Sequence, residues 1–120
     1  MSNMTLGAIE TRFAEIIWQN EPITSGQLVK RCEAELSWKK STTYTVLKKL
    51  CERGIFANNG GTVTPVLTRE EFYGKQSEAF VEESFHGSLP AFLAAFTKQR
   101  KLTAKEVAEI RSMIDRIGED

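Results

Sequence analysis

Apolar side chains recur along this chain at helical spacing through most of its length. Ile9, Phe13, Ile16 and Ile17 stand at i, i+4, i+7 and i+8, with Trp18 beside them, before Asn20, Glu21 and Pro22 end the pattern. That spacing predicts a first helix with one buried face. A second opens on Thr24-Ser25-Gly26-Gln27, a Thr-x-x-Gln box whose side chains can satisfy the first free amides. Leu28, Val29 and Cys32 are its buried stripe, and it is expected to end near Ala34. Trp38 then precedes a third periodic segment, from about Lys40 to Arg53, in which Thr43, Val46, Leu47 and Leu50 share a face. Gly54 is placed to supply its left-handed cap.

After Gly54 the period changes. Ile55 and Phe56, then Asn58-Asn59-Gly60-Gly61, then Thr62 to Leu67 predict two short strands joined by a tight Asn/Gly turn. A capping box, Thr68-Arg69-Glu70-Glu71, opens a fourth helix that carries Phe72, Ala79, Phe80 and Phe85 and closes at Gly87. Ser88 caps a fifth helix with Pro90 in its first turn and an apolar stripe of Leu89, Phe92, Leu93 and Phe96. In the last helix Thr103 and Glu106 form another box, Leu102 and Val107 a hydrophobic staple, and Val107, Ile110, Ile114 and Ile117 repeat at three and four residues. Two parts are expected: residues 1–67 as a head of three helices and a hairpin, and residues 68–120 as a three-helix half.

The second half is short for a core of its own, yet it carries five of the seven phenylalanines. Its stripes, Leu89, Phe92, Leu93, Phe96, Val107, Ile110, Ile114 and Ile117, are therefore expected to bury against a second copy of the chain.

With 120 residues, 41% apolar and 27% charged, the composition is that of an ordinary globular chain. No apolar run approaches the ~20 residues of a bilayer span, and no signal peptide is read at the N-terminus, so no membrane partner is expected and the expected location is the cytoplasm. The 16 basic and 16 acidic residues cancel overall. Locally they do not. Between Ser37 and Gly54, Lys39, Lys40, Lys48, Lys49 and Arg53 face only Glu52, a net +4, and that is where a polyanion would dock.

Enzymatic chemistry is not supported. The single histidine, His86, lacks a partner arrangement resembling a triad or a metal-ligand spacing, and Gly60-Gly61 lacks the lysine and helix context of a phosphate loop. Cys32 and Cys51 are too few for a disulfide scaffold and read as reduced core thiols. No catalytic residue, metal or cofactor is assigned.

The order helix, short helix, Trp-containing turn, polar helix, hairpin is the winged helix-turn-helix plan for reading duplex DNA. If Thr43, Val46, Leu47 and Leu50 face inward, a step of roughly 100° per residue turns Ser41, Thr45 and Lys48 outward, flanked by Thr42, Tyr44 and Lys49. The candidate DNA contacts are thus Lys40, Ser41, Thr42, Tyr44, Thr45, Lys48 and Lys49. Short hydroxyls early in the helix suit base edges, while the lysines supply counterion-releasing charge to phosphates. The fold class is mainly α (α+β), a winged helix-turn-helix head on a helical dimerisation half. A winged-helix interaction module without DNA affinity is the competing class.

Almost end to end, the chain resembles the penicillinase repressor family, which includes the beta-lactamase, methicillin-resistance and copper-responsive repressors. The resemblance is carried by Ile17-Trp18, by Pro22-Ile23-Thr24, and by Trp38, Thr42, Thr45, Leu47, Lys49, Leu50, Arg53 and Gly54. Pro65 to Phe72 looks like the family's hinge, and Gly87-Ser88-Leu89 like the start of its penultimate helix. It implies a homodimeric repressor on a pseudo-palindromic duplex operator, with an inactivating protease or sensor as a further partner. In the beta-lactamase and methicillin-resistance members an Asn-Phe bond of the penultimate helix is cut; here it maps between Ala95 and Phe96, with alanine in place of Asn. Ala57 to Thr64, where the family's wing usually bears a basic residue, has no charge, and the Cys-rich tail of copper-responsive members is absent from Lys98 to Asp120.

Overall fold

The computed structural model describes residues 6–118. Six helices and three short strands follow in the order α1 (Ala8–Asn20), β1 (Ile23–Thr24), α2 (Ser25–Leu36), α3 (Lys40–Glu52), β2 (Phe56–Asn59), β3 (Thr62–Pro65), α4 (Arg69–Phe85), α5 (Leu89–Gln99) and α6 (Ala104–Ile117). The described residues fall into two compact units, one running to Ala79 and one from Phe80 onward.

In the first unit the caps set the helix starts. The Thr24 hydroxyl accepts from the Gln27 N–H at 3.1 Å while the Gln27 carboxamide accepts from the Thr24 N–H at the same distance. Thr68 and Glu71 reciprocate in the same way at the head of α4. Lys39 precedes α3 with no side-chain cap. The α2 helix runs two residues past the expected Ala34, to Leu36, where Ser37 takes a left-handed φ of 57° and ends it.

The wing is a hairpin as expected, but its ladder, pairing Phe56 with Pro65 and Asn59 with Thr62, takes Asn58 and Asn59 into the strand instead of the turn and stops at Pro65 short of Leu67. Gly60 and Gly61 both have positive φ, 60° and 92°, as a two-residue primed turn demands. β1, which periodicity did not reveal, adds to the other side of β3 with Ile23 opposite Val63, giving the antiparallel order β1-β3-β2.

The core of this unit joins Phe13 and Ile17 of α1, Leu28 of α2, Leu47 and Leu50 of α3, and Ile55, Phe56 and Val63 of the wing, all excluded from solvent. Ile9, expected on the buried stripe, is exposed: it lies in the first turn of α1, and the buried positions, Phe13, Ala14, Ile16, Ile17 and Trp18, begin one turn further on. Phe72 of α4 is fully buried in the same core. Trp18 lies 5.3 Å from Phe56 and 5.4 Å from Phe72 between ring centroids, and its indole N–H donates to the Leu67 carbonyl at 3.1 Å. Glu15 adds a polar clamp, accepting from Arg69 Nε at 2.7 Å and from the Tyr73 hydroxyl at 2.8 Å. The opening turns of α4 are thereby fastened to α1.

The second unit is built differently. Its caps are as the sequence predicts: the Ser88 hydroxyl accepts from Ala91 N–H at 3.1 Å, and Thr103 and Glu106 close a box on α6. His86 and Gly87, both with positive φ, end α4. Phe80, Phe85, Phe92 and Phe96 form a chain of ring contacts with centroids 5.6–6.1 Å apart. Yet among the described residues from Phe80 onward no side chain is buried, and Leu89, Phe96, Ile114 and Ile117 stand open to solvent. No helix among the described residues is long and apolar enough to cross a membrane.

Candidate nucleic-acid interface

The α2 and α3 helices are joined by Ser37-Trp38-Lys39, and this turn is pinned at Trp38. The Trp38 N–H donates back to the Cys32 carbonyl, and its ring stacks on Phe13 at 5.4 Å and 26°. α3 is held from beneath by Thr43, Leu47 and Leu50, with Val46 half-buried, the face that periodicity assigned to the core. Thr43 is the buried polar member; its hydroxyl donates to the Lys39 carbonyl at 3.5 Å. Burial pushes the neighbouring Cys32 thiol above its ordinary value, with a Thr43 hydrogen bond opposing the shift, so this cysteine is a neutral core group.

Fixing that face inward turns Lys40, Ser41, Thr42, Tyr44, Thr45, Lys48 and Lys49 to the exterior, and all seven are exposed. They do not form one uniform surface. The Thr45 hydroxyl donates to the Ser41 carbonyl at 2.9 Å, a local bond that can be exchanged for an outside partner. Tyr44 leans toward the start of α2, its hydroxyl donating to Ser25 Oγ at 3.2 Å. Ser25 in turn donates its N–H to the Gly61 carbonyl of the wing turn at 2.8 Å. Lys48 follows Tyr44 round the helix and lines, with Leu47, Cys51 and Asn58, a shallow groove of about 350 Å³ between α3 and the wing.

Lys49 faces the other way. Its ammonium lies 3.1 Å from Glu10 Oε2 of α1, and the Glu10 carboxylate also accepts from the Gly7 N–H at 3.2 Å. Partial burial acts to raise the Glu10 pKa, but the bonds from Lys49 and Gly7 and the charges of Lys49 and Arg53 together hold it below the usual carboxylate value. Helical period places Lys48 outward with Lys49 on its flank, and their roughly 100° separation sends them to different neighbours. Glu10 stands 39 positions from Lys49 in the chain, so no local sequence signal joins the two.

Along the wing Asn58 is committed to its own turn, its carboxamide oxygen accepting from Gly61 N–H at 3.0 Å, and no ionisable side chain lies between Ala57 and Thr64. The wing strands and their turn therefore offer a polyanion no charge of their own. Among the described residues, Lys40 and Lys48 make no ion pair within 4.0 Å.

Comparison with known proteins agrees with this architecture. The chain is 18% identical over 122 residues to the methicillin resistance regulatory protein MecI of Staphylococcus epidermidis, an alignment covering 97% of this chain and 99% of that protein. A sequence model described as penicillinase repressor matches residues 6–116, from ahead of α1 into α6. The chain belongs to the penicillinase repressor family, a family of transcriptional repressors rather than enzymes.

Proposed function

We propose that this protein represses transcription as a homodimer, each protomer laying α3 in the major groove of one half-site of a pseudo-palindromic operator. The observation that carries the reading is the outer face of α3, on a helix clamped from beneath. Ser41, Thr42, Tyr44 and Thr45 are exposed near its start, and Lys48 near its end makes no ion pair among the described residues. Hydroxyls at that end can reach base edges, and a lysine beyond them neutralises phosphate. Dimerisation is supported by the second unit, where none of the apolar stripe residues from Leu89 to Ile117 is fully buried and Leu89, Phe96, Ile114 and Ile117 stand exposed. A twofold axis through those stripes would place two heads on two half-sites. Location in the cytoplasm, where the operator is, belongs to the same reading.

Genomic fragments selected by the purified full-length chain, then titrated across salt concentrations, test it. Enrichment of a twofold-related sequence and an affinity that falls linearly with salt on logarithmic axes are expected. A chain that binds no duplex at any salt would instead be the winged-helix interaction module that the uncharged wing and zero net charge would suit.

A further inference from the structure

We propose that Glu10 is a specificity-determining residue, cancelling the charge of Lys49 at the edge of α3 so that sequence-independent attraction to DNA is held down. The proposal rests on α3 being the DNA-contacting helix. Glu10 occupies the third position of α1, where the Gly7 N–H holds one of its carboxylate oxygens, and the other oxygen meets Lys49 Nζ at 3.1 Å. The carboxylate is thus set in place by its own helix as well as by its partner, and its side chain is only 23% exposed against 53% for Lys49. The neighbouring Lys48 has no such counter-charge among the described residues.

A polyanion approaching α3 meets a lysine that is already neutralised: while Lys49 stays with Glu10, it releases no counterion from the DNA. Glu10 thereby removes about one charge from the electrostatic count that governs binding to any sequence. Base contacts from Ser41 to Thr45 are untouched, so the ratio of operator to random binding rises.

The test titrates the full-length wild-type chain, Glu10→Gln, Lys49→Gln and the double variant with a random-sequence duplex at several salt concentrations. Glutamine still accepts from the Gly7 N–H, so the α1 cap is kept. Glu10→Gln is expected to bind random duplex more tightly at low salt, with a salt slope steeper by about 0.9, an extra three- to four-fold loss of affinity for each four-fold rise in salt. Lys49→Gln alone leaves the wild-type slope in place, and the double variant returns to it. A Glu10→Gln slope equal to a salt-dependent wild-type slope would overturn the proposal, as would a Lys49→Gln slope flattened by the full charge. The Lys49→Gln arm does not alter α1 and so stands even if Glu10→Gln folds poorly. A wild-type chain with no salt-dependent binding would overturn the DNA-binding reading itself, and with it this one.

Discussion

The Tyr44 hydroxyl donates to Ser25 Oγ at 3.2 Å, joining the outer face of α3 to the first residue of α2. Because Ser25 is itself bonded to the wing turn at Gly61, this tyrosine sits where helix, helix start and wing converge. Tyr44→Ala and Thr45→Ala are each expected to weaken operator binding by ~1 to 3 kcal/mol where the side chain reads a base edge, with a smaller effect on random duplex. Tyr44→Phe keeps the ring and removes only the hydroxyl, so it is the milder of the two tyrosine variants. Shift assays on the selected operator and on scrambled duplex check this; unchanged operator affinity in all three variants would remove α3 as the reading helix.

Lys48 lacks, among the described residues, the counter-charge that Lys49 has, and its replacement therefore acts on every sequence alike. Lys48→Gln is expected to lower affinity for operator and random duplex by the same factor and to flatten the salt slope by about 0.9. An effect confined to the operator would mean that Lys48 contacts a base rather than the backbone.

Phe72 lies fully buried among head residues although it belongs to α4, whose far end lies in the second unit. Truncation after Ala79 should leave a folded monomeric head, whereas truncation after Leu67 removes Phe72 and the Tyr73–Glu15 bond and should leave a head that melts far lower. Phe72→Ala in the full chain is expected to cost ~3 to 5 kcal/mol by denaturant unfolding. Full-length chain should scatter light as a dimer at micromolar concentration, and Ile114→Glu, placing a charge in an exposed apolar stripe, should drive it toward monomer without unfolding the head.

What the chain reveals before folding is what its own near neighbours decide. The boxes Thr24/Gln27, Thr68/Glu71 and Thr103/Glu106 span three residues, and the Gly60-Gly61 turn spans two, so local chemistry announces each of them. The inward face of α3 follows from helical period alone. β1 is legible only from its partner, because Ile23 and Thr24 are too few to show alternation and pair with residues some forty positions away. The same distance hides Glu10 behind Lys49. Phe72 shows helical spacing but not which neighbours will cover it, since period assigns a face and not a partner.

Glu106 is held by Arg100 Nη2 at 2.8 Å and by the Thr103 N–H at 2.9 Å, and these bonds lower its pKa to about 2. A carboxylate whose folded value lies below its unfolded one stabilises the fold above the unfolded value and loses that contribution as pH falls through the folded one. The α6 start should therefore weaken progressively from about pH 4.5 down toward 2. Glu106→Gln keeps the cap and removes the titration, so its melting temperature should fall less steeply over that window than the wild-type chain's. Parallel slopes in the two proteins would show that other carboxylates dominate the acid response.

The bond between Ala95 and Phe96 lies within α5, on the stripe that begins at Leu89, and Phe96 is both exposed and in ring contact with Phe92 at 6.0 Å. The Arg100 guanidinium lies over the same ring, 5.1 Å from its centroid. Cutting the chain there would divide the apolar surface on which a second copy is proposed to sit, leaving Leu89 and Phe92 on one fragment and all of α6 on the other. Two linked heads bind a twofold operator with an effective local concentration that single heads lack, a gain of about 10²- to 10⁴-fold in avidity. Loss of the link should therefore weaken operator binding by that factor although α3 itself is unaltered. An engineered protease site placed between Ala95 and Phe96 tests this without requiring a natural enzyme that accepts alanine at the bond. The uncut variant should hold the operator as the wild-type chain does, and complete digestion should reduce it to the affinity of a head truncated after Ala79. Full-strength binding after digestion would show that the fragments stay joined through their remaining contacts, and would refute cleavage at this helix as a route to release.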